Sequence, residues 1–506
     1  MNPSHPSVIL CILDGWGIAP SGPGNAITLA DPPTYTYLLS TCPNSQLEAS
    51  GVAVGLPAQQ DGNTETGHLN IGAGRIVYQD LARINLSIAD GSFFTNQALL
   101  NSIEHVKKNH SSLHLLGLIG ASGVHAFNDH LYALIMLAAK NNIPRVFLHL
   151  ITDGRDSPPD DSPRQIKAAQ CIIDRYRTGR IVSLMGRYYG LDRDMRLDRT
   201  NLAFDCLIKG SPLNYNDPLT AISTAYAQNQ TDEFIRPLTI GSDPESTRIK
   251  SGDALIFYNF RIDRPRQLTK MLIDANIPGF SLTTMTKYHD HFSIPVAFPN
   301  LKIKNTLGEH LSLLSLHQLR MAESEKERFV TFYFNGQHEP PFPGEERIIV
   351  PSPKIATYDL QPEMSTEKLV AKFAENFSTR QYSFGLLNIA CPDMVAHTGD
   401  TPSTIKAILA ADCALKTLVS LADKTSSWLL ITGDHGNAEE MINPLTSKAD
   451  TEHSLNPVPL IIYHQDKLNL KLANGVLADI APTILDLLKL PQPPEMTGNN
   501  LIINTK

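Results

Sequence analysis

The sequence predicts an α/β protein of two domains, one inserted into the other, and three observations lead there. Short, continuously apolar runs end abruptly in polar or charged residues: VILCIL (8–13), VFLHLI (146–151), IVSLM (181–185), SFGLLNIA (383–390) and SWLLIT (427–432). Such runs read as strands buried on both faces of a parallel sheet. Helical patterns lie between them, at 129–141, 162–177, 194–208, 365–376, 403–421 and 476–488, and strand–helix alternation marks the α/β class. Finally, 506 residues exceed one ordinary core, and the strand ends carry two chemistries. Asp and His follow the strands near both termini, while Arg dominates the middle. One domain is therefore expected from residues 1–76 and 310–506, with 77–309 inserted.

Taken in order, the elements place chemistry where strands end, as open α/β sheets do. The first strand delivers Asp14. DGNTETGHLNIGAGR (61–75) is a polar turn feeding a helix; its Thr64 hydroxyl, with Thr66 as second candidate, reads as a nucleophile or a helix cap. LHLLGLIG leads into a Gly/Ser loop with His125, after which Asp129 and His130 begin a helix. The next strands run into Arg155-Asp156 and Arg187; GLDRD carries Arg193, and NFRIDRPRQ carries Arg261, Arg264 and Arg266. Single surface arginines are mostly solvated, but guanidinium forks gathered at strand ends suit carboxylate and phosphate. The Pro-rich pieces PGEERIIVPSPK and LPQPPEM read as loops.

Toward the C-terminus, Pro392 opens a helical turn that puts Asp393 and His397 on one face. Asp434-His435 follows a strand, and His453 precedes one. With Asp14 this makes three carboxylates and three imidazoles, a mixed N/O set suited to Mn²⁺ or Zn²⁺. Each Asp alone reads as a turn former; their joint occurrence carries the metal reading. Glu439-Glu440 and the final NTK read as solvent-facing.

A net charge of −8 argues against nucleic acid or an anionic membrane as partner. Six scattered cysteines without a CxxC pair suit reduced thiols in the cytoplasm. No apolar run approaches the ~18 residues of a membrane span, and VILCIL lacks the basic flank of a signal peptide.

In nine ordered stretches the chain resembles the cofactor-independent phosphoglycerate mutases of the alkaline phosphatase superfamily. They are LDGWG (13–17), GNTETGHLNIGAGR (62–75), TDGRDSPP (152–159), GRYYGLDRD (186–194), NFRIDRPRQ (259–267), FPGEERIIVPSPKIATYD (342–359), PDMVAHTG (392–399), TGDHGN (432–437) and APTILDLL (481–488). The resemblance implies an alkaline-phosphatase-like domain interrupted by a transferase domain, two divalent ions (Mn²⁺, with Co²⁺, Zn²⁺ or Mg²⁺ as alternatives), a monomer, and no need for 2,3-bisphosphoglycerate. It implies that Asp14, Thr64, Asp434 and His435 hold one ion, and Asp393, His397 and His453 the other. His125, Arg155, Arg187, Arg193, Arg261, Arg264 and Lys354 would bind phosphoglycerate. Thr64, Asp156 and Lys354 form the implied catalytic set, with Asp156 handling the substrate hydroxyl proton. The family ordinarily has serine at position 64, Ala at 433 and Gly at 396; Gly433 is expected to loosen its loop. The alternatives are a metal-dependent phosphatase, a phosphopentomutase, or a relative that lost catalysis with its serine.

Overall fold

The computed structural model describes residues 6–300, 302–444, 446–466 and 470–503, so the final NTK lies outside the described residues. The chain divides into two compact units, Asp80–Leu301 and the remainder.

The discontinuous unit is built on an eight-stranded sheet. Its order is Glu345–Val350, Gln318–Glu323, Phe384–Ile389, Val8–Leu13, Trp428–Thr432, Val458–Tyr463, Asn44–Glu48, Gly475–Val476. The first five strands are parallel, whereas Val458–Tyr463 runs antiparallel to both neighbours. Alternation along Val8–Leu13 feeds both faces. Ile9, Cys11 and Leu13 join Leu369, Phe373 and Leu415 from helices Thr366–Thr379 and Thr401–Thr425. Val8, Leu10 and Ile12 join Ile71, Ile480 and Ile484 on the other side. Each such buried aliphatic side chain stabilises by about 1.5–3 kcal/mol. Because the strands are parallel and in register, with Leu13 opposite Ile389 and Ile12 opposite Thr432, their C-terminal ends converge on one edge.

The second unit has its own eight-stranded sheet. Its order is Val296–Phe298, Ser281–Thr286, Ala254–Phe257, Leu113–Ile119, Val146–Thr152, Arg180–Gly186, Leu238–Ile240, Asn214–Tyr215. Only the pairing of Arg180–Gly186 with Leu238–Ile240 is antiparallel among these.

Expected and observed helices differ mainly at their ends; 194–208, for example, begins at Leu197, because Asp192 Oδ1 accepts the Asp194 and Arg196 N–H groups and Met195 takes a φ of 58°. One expected loop is a strand. In PGEERIIVPSPK, Glu345–Val350 forms an edge strand, since prolines flank the β-branched Ile348-Ile349-Val350 without interrupting it.

Candidate active site

Helix Thr64–Ala73 is capped by Asn63, whose side chain accepts from Thr66 N at 2.9 Å. The Thr66 hydroxyl turns back onto the Asn63 carbonyl at 3.1 Å. Thr64 is therefore free of capping duty. Its Oγ1 lies 2.9 Å from His435 Nε2, 3.1 Å from Lys326 Nζ and 3.5 Å from Asp14 Oδ1, buried at the first turn, where helix N–H groups favour anions.

Around Thr64 the strand ends assemble two donor sets. In each of the sets Asp14/Asp434/His435 and Asp393/His397/His453, the ligand atoms lie within 4.8 Å of one another. His435 Nε2 is 3.4 Å from Asp14 Oδ1 and 3.7 Å from Asp434 Oδ2. Asp393 Oδ1 is 3.3 Å from His397 Nε2 and 3.5 Å from His453 Nε2, and those two nitrogens are 3.1 Å apart.

This arrangement fits divalent ions. Each imidazole donates Nδ1–H to a backbone carbonyl: His397 to Thr451 (2.7 Å), His453 to Gly62 (2.8 Å), His435 to Gly436 (3.2 Å). That turns every Nε2 toward the carboxylates, the orientation metal-binding histidines take. Buried Asp434 Oδ2 has no hydrogen-bond partner among the described residues. Burial opposes charge on His435, but Asp434, Asp14 and Asp393 outweigh it and push its pKa up to about 10, so the field draws cations. His68 and Asn388 support the set from behind: Asn388 Nδ2 donates to Asp14 Oδ2 at 2.7 Å, and His68 Nδ1 lies 3.3 Å from Asp434 Oδ2.

Lys326 completes this centre, and the sequence reading missed it. Its buried ammonium sits 2.8 Å from both Asp14 Oδ1 and Asp393 Oδ2. Burial works against that charge, but the carboxylates raise the lysine's pKa above its ordinary value. Lys354, expected in the catalytic set, is exposed in the coil after Val350 and has no ion pair among the described residues.

In the second unit the arginines gather around buried Arg187. Its Nη1 donates to Asp153 Oδ1 and Asp156 Oδ2, both at 2.5 Å, and its Nη2 to His125 Nε2 at 2.7 Å. His125 therefore carries its proton on Nδ1, a buried donor without a partner among the described residues. Burial and Arg187 push the His125 pKa down to about 4, so the ring is neutral. Asp156 is partly desolvated, yet the Arg187 guanidinium holds it below the usual carboxylate range. Asp263 lies 3.2 Å from Arg193 Nη1 and 3.4 Å from Arg261 Nε. Arg264 donates to the Leu191 carbonyl at 3.3 Å. Burial, with Arg187, Arg193 and Arg155 nearby, lowers its pKa. Arg155 reaches Glu233 at 3.8 Å. Arg266 is apart from this group, bonded to the Tyr288 carbonyl.

A family model described as the Metalloenzyme superfamily matches residues 6–492. The chain is 45% identical over 509 residues to a 2,3-bisphosphoglycerate-independent phosphoglycerate mutase of Cellvibrio japonicus, covering 98% of each chain. It is 44% identical to the 2,3-bisphosphoglycerate-independent phosphoglycerate mutase 2 of Methanosarcina acetivorans, covering 100% of this chain and 99% of that one. This chain belongs to the cofactor-independent phosphoglycerate mutases. Its fold is similar to the crystal structure of Leishmania mexicana phosphoglycerate mutase at low cobalt concentration, with TM-score 0.59, 26% identity, and 99% and 98% of the two chains covered.

Membership bears out the resemblance carried by the motifs. At Gly433 a Cβ would stand 2.6 Å from the Trp16 carbonyl oxygen, so the glycine allows a closer approach. Glu439, expected in solvent, is 2% exposed, because donors from three loops enclose its carboxylate. Glu440 is half-buried. Among the described residues, no helix is long and apolar enough to cross a membrane.

Proposed function

We propose that this protein interconverts 3-phosphoglycerate and 2-phosphoglycerate through a phosphothreonine at Thr64, without 2,3-bisphosphoglycerate. The observation that carries the reading is the Thr64 hydroxyl itself, free of helix capping and set among Asp14, His435 and Lys326. Asp14, Thr64, Asp434 and His435 would hold one divalent ion, and Asp393, His397 and His453 the other. Bound ions would acidify the hydroxyl and neutralise charge on the transferring phosphoryl group; Mn²⁺ is the ion proposed.

The Thr64 hydroxyl loses its proton as Oγ1 attacks phosphorus; the bond to the glycerate oxygen breaks, and that oxygen takes up the proton released. Glycerate then attacks phosphothreonine through its other hydroxyl, the bond from phosphorus to Oγ1 breaks, and the proton that hydroxyl loses passes to Oγ1, regenerating Thr64. Lys326 donates toward Oγ1 and the phosphoryl oxygens as charge develops there. Asp156, ionised, accepts the glycerate hydroxyl proton and returns it. The Arg155, Arg187, Arg193, Arg261 and Arg264 guanidiniums and His125 Nδ1–H hold the substrate's anionic groups. Retaining glycerate separates a mutase from a phosphatase. We assign Lys326, rather than Lys354, to the catalytic set on burial and contacts.

A monomer in the cytoplasm is part of the proposal, the latter supported by six free cysteines. The test is a coupled assay with Mn²⁺ and no 2,3-bisphosphoglycerate. Isomerised product should outpace inorganic phosphate by orders of magnitude; phosphate appearing faster would overturn the mutase reading.

A further inference from the structure

Three separate loops carry four of the proposed metal ligands: 14–17 after the first strand (Asp14), 434–437 (Asp434 and His435), and 453–456 (His453). A metal site demands that such loops hold their mutual positions before the ion arrives. One buried carboxylate touches all three. Glu439 Oε2 accepts the backbone N–H groups of Gly17 and Asn437, each at 2.9 Å. Its Oε1 accepts the Ser454 hydroxyl and Asn456 Nδ2, the latter at 3.0 Å. Asn437 in turn donates its side-chain amide to Asp393 Oδ1 at 2.8 Å.

Four donors saturate the two oxygens, leaving no lone pair for an ion, so Glu439 is not itself a ligand. It also has no ion pair among the described residues; neutral donors alone hold this buried charge. Two glycines are shaped to it. A Cβ on Gly17 would fall 2.2 Å from Glu439 Cδ, and one on Gly436 would fall 2.3 Å from Glu439 Oε1. The glycines of LDGWG and TGDHGN thus leave room for a carboxylate outside both motifs.

The geometry points to Glu439 as a positioning residue that sets both proposed metal sites, by fixing the loops bearing Asp14, Asp434-His435 and His453 against one another and, through Asn437, Asp393. This rests on the two-ion reading above. Ser454 follows His453 directly and Asn456 lies three residues beyond it, so the Asp393/His397/His453 site depends most on Oε1.

The test is Mn²⁺ binding by calorimetry, with melting in EDTA and the metal dependence of turnover measured beside it. Glu439→Gln leaves one oxygen for four donors. Backbone N–H groups cannot reverse, and Asn456 Nδ2 is also held by Glu440 Oε2 at 3.2 Å, so the link to 453–456 is the one that loosens. The expected result is two Mn²⁺ per wild-type chain and a roughly 10–100-fold weaker affinity for one of them in the variant, with turnover recovering as Mn²⁺ is raised. Asn456→Ala removes one donor and keeps the backbone links; it should show a smaller loss of the same kind and decides the matter if Glu439→Gln fails to fold. Unchanged Mn²⁺ affinity in the folded variants, with only the EDTA melting point lowered, would overturn the proposal. A wild-type chain that binds no Mn²⁺ would overturn the metal reading beneath it.

Discussion

Replacing Lys326 by Met removes an ammonium that touches both donor sets and the proposed nucleophile. The ammonium lies 2.8 Å from Asp14 Oδ1 and from Asp393 Oδ2. At an effective dielectric constant of ~20, each contact corresponds to about 6 kcal/mol of Coulomb attraction, offset by several kcal/mol for burying the ammonium. In turnover, the loss is one charged donor 3.1 Å from Thr64 Oγ1. Losing such a donor costs roughly 10²–10³ in kcat, about 2.7–4 kcal/mol. The assay is kcat and KM at saturating Mn²⁺, run beside Lys354→Met. Lys326→Met should lower kcat by that factor, whereas Lys354→Met, altering an exposed side chain, should stay within about two-fold, as surface substitutions do. A larger loss from Lys354→Met than from Lys326→Met would refute the assignment.

Arg187→Lys should raise KM and lower the melting temperature, because one ammonium cannot reproduce the fork to Asp153, Asp156 and His125; breaking buried pairs costs about 3–5 kcal/mol, and an unchanged KM would contradict the substrate role. The 80–301 unit should be acid-labile. His130 is pushed down to about 3 by burial, below the ~6.5 of the unfolded chain. The unfolded state therefore binds more protons, and stability present above pH 6.5 is lost as pH falls toward 3, about 2 kcal/mol of it by pH 5. Amide exchange in 113–151, corrected for intrinsic rate, should accelerate roughly 30-fold between pH 7 and 5; pH-independent protection would contradict it.

The parts legible in sequence were those whose polarity changes sharply along the chain. Strands buried on both faces end in Asp14, Asp393 and Asp434, so apolar runs pointed at the metal ligands. QLRMAE escaped the same criterion because its polar residues are buried: Arg320 is fully enclosed, 4.2 Å from the Phe334 ring and 5.1 Å from Phe384. Missing that strand meant missing Lys326, three residues past its end. Glu439 was illegible for another reason. Its partners Gly17 and Asn456 are distant in sequence from one another, and only folding brings their donors to one carboxylate. The arginine cluster was readable as residue types, but not the counter-ions Asp153 and Asp263, which decide which guanidiniums remain open to substrate.

The most direct test of the account is whether phosphate passes through Thr64. Enzyme mixed with 3-phosphoglycerate and Mn²⁺, then quenched in acid within a turnover, should yield a phosphorylated peptide containing residues 61–75 with the phosphate on Thr64, and Thr64→Ala should show neither phosphopeptide nor turnover, while Thr64→Ser keeps both. Phosphate on Thr66 or another residue, or near-normal turnover in Thr64→Ala, would contradict it.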